Sequence, residues 1–219
     1  LRGVSPLQIE GFFTTLLVVA GITTAASILV STFGAYALSR YQFRYKTLYD
    51  RSLLLVYMLP SVAIAIPMFM IIRSYGLLDT HSALILSYTT STLPFSIWML
   101  RGYFQSVPYS LEEAAMIDGA SRLQALFRVV LPVSLPGIAA VAAFAFILAW
   151  NEFLFASTFI QSSHKYTLAV GLRTFQQQFD VEFDLLMAAS TISSIPIVVM
   201  FGFAQRFLVE GLTAGANKG

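Results

Sequence analysis

The sequence predicts an all-α integral membrane protein, a polytopic helical bundle with five transmembrane helices in this chain. Three observations carry that prediction. Of 219 residues, 57% are apolar and only 11% are charged, whereas a soluble domain carries about 25% charged residues because its surface faces water. Mean hydropathy is +0.75. The apolar residues also gather in five runs long enough for a bilayer core about 30 Å thick, which takes roughly 20 residues of helix.

In order, the runs are about Phe13–Leu38, Leu53–Ile72, Ala83–Leu100, Gly137–Ile160 and Leu185–Phe203. None alternates polar and apolar residues as a membrane strand of ~10 residues does. The second holds Pro60 and Pro67, the third Pro94 and the fifth Pro196. Each proline removes a backbone hydrogen bond, which lipid tolerates only where neighbouring helices or a water-filled cavity satisfy the freed carbonyl. Kinks for packing and discontinuous helices along a translocation path both fit that pattern. The even spread of the runs predicts one transmembrane domain over 1–219.

The basic residues orient the bundle. Arg40, Arg44, Lys46, Arg51, Arg101, Arg122, Arg128, Arg206 and Lys218 fall on one side, and Arg2, Arg73, Lys165 and Arg173 on the other. The richer side is the cytoplasmic one. A loop at 106–134 and a tail at 204–219 are therefore expected in the cytoplasm, and a loop at 161–184 outside. Leu1 opens the sequence without an initiator methionine, and the polar lead lacks the n-region and cleavage site of a signal peptide.

Several chemistries are excluded. Cysteine is absent and the two histidines, His81 and His164, lie far apart, so no metal-ligand cluster is expected. A net charge of +2 is the ordinary bias of a membrane protein and implies no nucleic acid. No G-x-x-x-x-G-K-[ST], G-x-S-x-G or H-E-x-x-H motif occurs, so the chain is expected not to be an enzyme.

The 106–134 loop is the most informative segment. Ser110 with Glu113, and Ser121 with Gln124, both read as capping boxes, each satisfying two orphan amides at a helix start. Glu112 and Glu113 also suit the positive end of the first helix dipole. Gly119 is placed to end that helix in the left-handed region, and Pro132 to stop the second. A face of Leu111, Ala114, Ala115 and Asp118 on the first helix is small enough for close approach. On the second, Leu123, Leu126, Phe127, Val130 and Leu131 form an apolar stripe that braces the loop on the bundle. The first helix is below the ~12 residues that persist alone in water. Either the chain's other cytoplasmic loops or a separate subunit must cover it, and since those loops are short a partner is expected.

Glu113-Ala114-Ala115, Gly119, Val129 and Leu131-Pro132 fall at the offsets of EAA-x3-G-x9-I-x-LP, with valine for the isoleucine. In this the chain resembles the permease subunits of bacterial ATP-binding-cassette importers. The tail from Gly211 to Gly219 and Trp150-Asn151-Glu152-Phe153 are similar to the maltose-type carbohydrate permeases. The resemblance implies an inner-membrane, multi-pass subunit for a di- or oligosaccharide. Glu113, Ala114, Ala115, Asp118, Gly119, Leu131 and Pro132 would couple it to an ATPase. It implies a second, homologous permease, two ATPase subunits holding ATP and Mg, no cofactor in this chain, and an extracytoplasmic sugar-binding protein that touches the 161–184 loop, where Gln176, Gln177 and Gln178 lie. Family members usually have six helices, which implies one more before the first run.

Asn151 and Glu152 are the polar pair deep in an apolar run. Such a pair is a candidate for the substrate path, or else an interfacial pair beside Trp150. A polyol or glycerol phosphate is an alternative cargo. A stand-alone secondary transporter needs several intramembrane charges, and Glu152 alone qualifies.

Overall fold

Proline and polar breaks decide where the helices stop. The computed structural model describes residues 6–176 and 183–216, and among these every regular element is helical. Helix α1 covers Pro6–Arg40 without interruption. Helix α2 covers Lys46–Tyr57 and α3 covers Ser61–Ser74. They are separated because Pro60, extended at ψ 133°, has no amide to continue the ladder. Helix α4 is His81–Ser106, with Pro94 inside it. Helices α5 (Tyr109–Ile117) and α6 (Arg122–Ala125) follow. A π turn at Leu126–Val130 and α7 (Leu131–Val133) lead to α8 (Leu135–Trp150). Helices α9 (Leu154–Phe159), α10 (Leu168–Gln176) and α11 (Phe183–Ala216) complete the order.

Among the described residues, Gln8–Arg40, His81–Ser106 and Leu186–Phe203 are each long and apolar enough to cross a membrane. Two bent pairs raise the number to five if each is one span. Three of the expected five spans are thus single helices, and the second and fourth count as spans only if each bent pair is one. The second run breaks at residues 58–60. The fourth ends at Trp150, where residues 151–153 leave the helix before α9 begins. Two loops also carry more structure than expected. The 161–184 segment contains α10, and the tail is helical through Ala216. Gln177, Gln178 and residues 217–219 lie outside the described residues.

The chain forms two compact units. In the first (residues 1–24, 59–91 and 145–200), Phe12, Leu16 and Val19 of α1 share a face. They belong to a core with Ile72, Leu84, Tyr88, Trp150, Phe155 and Phe159. Trp150 is buried, and its indole N–H donates to the Ser193 carbonyl at 3.1 Å, so the aromatic body packs while its polar atom is satisfied. The second unit (residues 25–58, 92–144 and 201–219) has a core of Ala35, Tyr36, Leu100, Phe104, Leu126, Val130 and Val141. There Ser27 and Thr92 hydrogen-bond between α1 and α4 at 2.7 Å, the polar glue that helices use where lipid supplies no hydrophobic drive. Outward residues such as Val62, Ile66, Met70 and Val198 are more than 60% exposed and apolar, a surface suited to hydrocarbon.

Candidate functional site

Helix α5 is bounded by Pro108 at its start and Gly119 at its end. Pro108, extended at ψ 130°, starts it at Tyr109, so Ser110 sits inside the first turn and caps nothing. The Ser110–Glu113 capping box is therefore absent. Ser121 does cap α6: its hydroxyl accepts from the Gln124 amide at 3.2 Å, while Gln124 Oε1 accepts from the Ser121 amide at 2.8 Å. Gly119 ends α5 at φ +90°. Its amide donates to Met116 O, and the Ala120 amide donates to Ala115 O at 2.9 Å. That pair of bonds is a Schellman closure, which needs a left-handed residue at this position.

The expected docking residues sit together on this helix. Glu113, Ala114, Asp118 and Gly119 are exposed and Ala115 is half-buried. Leu111 is 44% exposed and Ile117 is 86% exposed, so an apolar edge faces outward beside Glu113. Leu131 packs against the Tyr36–Leu126–Val130 core, and Pro132 is exposed. The bracing stripe is only partly as expected. Leu126 and Val130 are buried, yet Leu123 and Phe127 are more than half exposed. The π turn takes an extra residue per turn, and this rotates a stripe counted at 3.6 residues away from the bundle.

The side chain that α5 buries is Glu112, 1% exposed. Its Oε1 accepts from Arg40 Nε at 2.5 Å, and its Oε2 accepts from the Tyr36 hydroxyl at 2.9 Å. Arg40 Nη2 donates to Val107 O at 3.0 Å, and its guanidinium lies over the Tyr109 ring. The sequence reading gave Glu112 only a place at the helix dipole. The signal it missed was the acidic doublet: neighbours on a helix point about 100° apart, so Glu112 and Glu113 face different surroundings.

Asn151 and Glu152 belong to the other unit. Glu152 Oε1 accepts from the Phe155 amide at 2.9 Å and Oε2 from the Ala156 amide at 3.2 Å, so the carboxylate caps α9. Tyr88 of α4 is buried in the core of the same unit. Asn151 is exposed and donates back to Ile147 O. Among the described residues no three His, Asp or Glu side chains converge into a metal set.

A second polar cluster was not foreseen. Asp79, at φ 58°, accepts from the Gln161 and Ser162 amides at 3.0 and 2.9 Å, from the Ser162 hydroxyl at 2.6 Å and from Lys165 Nζ at 3.0 Å. The Ser162 hydroxyl, then the two amides and Lys165, hold its carboxyl well below the usual carboxylate range. A depressed folded value means the clasp's contribution is complete above the unfolded value of about 3.9 and is lost only as pH falls through the folded one. Hydrogen exchange at the Gln161 and Ser162 amides is expected to stay slow near pH ~3. In Asp79→Ala those amides are expected to lose their protection relative to the intrinsic exchange rate at each pH. Equal protection in the variant would mean that the clasp holds nothing.

The family model described as "Binding-protein-dependent transport system inner membrane component" matches residues 27–213. The chain belongs to that family. Across 95% of its length this membrane component is 39% identical to the inner membrane ABC transporter permease protein YcjP of Escherichia coli, spanning 74% of that protein. Across 97% it is 38% identical to the trehalose/maltose transport system permease protein MalG of Thermococcus litoralis, spanning 77% of it. Across its whole length it is 39% identical to the sulfoquinovosyl glycerol transport system permease protein SmoH of Agrobacterium fabrum, again spanning 77%. A crystal structure of a bacterial ABC transporter involved in the import of the acidic polysaccharide alginate has the same fold. Its TM-score is 0.79, at 24% identity over 91% of this chain and 75% of the other.

Proposed function

We propose that this membrane component forms part of the translocation pathway of an ATP-driven importer for a di- or oligosaccharide. ATPase subunits that hold ATP and Mg drive it by docking on α5. The observation that carries the docking is the exposed surface of α5: Leu111, Glu113 and Ile117 all stand exposed, Glu113 one turn from Ile117, on a nine-residue helix closed at Gly119. A helix this short does not persist in water unaided, and an apolar edge beside an acid fits a cleft in a second protein. The sugar follows from relatives named for trehalose/maltose, diacetylchitobiose and galactooligosaccharides.

In this reading the 106–134 loop and the C-terminus are cytoplasmic. A second, homologous permease completes the path, two ATPases bind below it, and an extracytoplasmic sugar-binding protein delivers the cargo. Asn151 and Glu152, at the break between α8 and α9, are the candidate path residues, with Glu152 also holding α9. ATP-driven closure of the ATPases moves α5 and switches the bundle between inward- and outward-facing states.

Glu113→Arg reverses the charge on the docking face of α5. We expect the variant to reach the membrane in normal amount, while ATPase co-purification and sugar uptake both fall by more than about tenfold. Normal uptake by Glu113→Arg would sink the docking assignment.

A further inference from the structure

An ATPase pushing on α5 moves the bundle only if α5 is tied firmly to a membrane helix. Its covalent links are not helical: residues 107–108 precede it and residues 118–121 follow it. Its apolar side chains are buried only in part, at Ala115 and Met116. The residue it buries is Glu112, while Leu111 and Ile117 remain outside. Helix α5 also packs against α6 and the π turn, but its polar tie to a membrane helix is a carboxylate held by the end of α1.

We propose that the buried Arg40–Glu112 ion pair is the joint that passes displacement of α5 into α1, which makes both residues positioning residues for coupling. This rests on the docking reading above and adds the route by which docking reaches the membrane. Four polar contacts leave one turn of α1. Arg40 donates to Glu112 and to Val107 O at the α4–α5 link, and Tyr36 donates to Glu112 and reaches Arg122 O at 3.4 Å, the first residue of α6. The arrangement also satisfies both dipoles: Arg40 ends α1, and Glu112 lies in the first turn of α5. The two side chains are 8% and 1% exposed. Charges this far from water attract strongly and have no aqueous substitute when separated. Such a pair moves as one body or breaks, whereas an apolar contact slides.

A plain structural ion pair predicts a different outcome from a joint, and three variants of the assembled transporter separate them. Measurements are made in vesicles with the ATPase and binding protein present. Glu112→Gln keeps the volume and an acceptor for Tyr36. Arg40→Met keeps most of the stem. The double variant Arg40→Met/Glu112→Met leaves neither charge buried alone. We expect all three to hold the ATPase at wild-type amounts and to hydrolyse ATP at the unstimulated rate. Substrate-stimulated hydrolysis and uptake are expected to fall by roughly tenfold or more. Wild-type uptake in the double variant overturns the joint. So does loss of ATPase association in step with uptake, which marks the pair as structural support only. Failure of the underlying reading looks different, because Glu113→Arg would then leave the ATPase bound.

Discussion

Gly119→Val is expected to abolish uptake while the subunit still inserts in the membrane. Gly119 stands at φ +90°, and a Cβ built on it meets no other heavy atom within 4 Å. Crowding is therefore not the problem. The cost lies in the residue's own backbone, where a left-handed conformation disfavours an L side chain by about 1–2 kcal/mol, and more for a β-branched one. Relaxing that strain opens the Ala120-to-Ala115 and Gly119-to-Met116 bonds that close α5. Ile117 and Asp118 then leave the docking face, and the turn into the Ser121 cap changes direction. A side chain at Gly119 meets no packed neighbour, so the rest of the bundle should fold as before. The same argument ranks the substitutions. Asn, which tolerates the left-handed region, should retain most uptake, Ala less and Val almost none. Membrane yield, ATPase co-purification and sugar uptake measured together check this, and an active Gly119→Val would remove the turn from the mechanism.

How much of this was legible depends on whether a signal was local. The run at 13–38 became one helix because it contains no interior proline and no charge, so composition and length sufficed. Hydropathy registers what a segment is made of and not its direction, which is why the breaks at residues 58–60 and 151–153 were read through. Pro60 was visible, but a kink and a full break look alike in a sequence. The two S-x-x-[EQ] patterns make the same point. Ser121 caps a helix as its pattern says, whereas Ser110 does not because Pro108 had already set the helix start.

The exposed half of the candidate site was readable and the buried half was not. Glu113 and Gly119 follow from a motif within a few residues of each other. Glu112 depends on Arg40 and Tyr36, 72 and 76 positions away, and no periodicity links them. Asp79 and Lys165 are likewise joined across 86 residues. Long-range charge partners of this kind emerge only once the helices have packed.

The largest effect on stability is expected at Gly171, on α10. A Cβ there would lie 2.3 Å from Phe12 Cδ2 and 2.6 Å from Phe12 Cε2, far inside van der Waals contact. Gly137 has a similar collision with the Tyr103 ring, but Tyr103 is only half-buried. Phe12 is 4% exposed, within the core that holds Leu16, Trp150 and Phe159, and its ring neighbours Tyr166. Overpacking of a filled core costs about 1–3 kcal/mol for a methyl or two. Gly171→Ala should therefore lower the unfolding temperature of the detergent-solubilised protein, and Gly171→Leu should reduce membrane yield to a small fraction. Phe12→Leu in the Gly171→Ala background should recover part of the loss, since the two residues share one space and their effects cannot be additive. A Gly171→Ala protein as stable as the parent, or a double variant no better than the sum of its parts, would mean that α10 does not seat against Phe12 of α1.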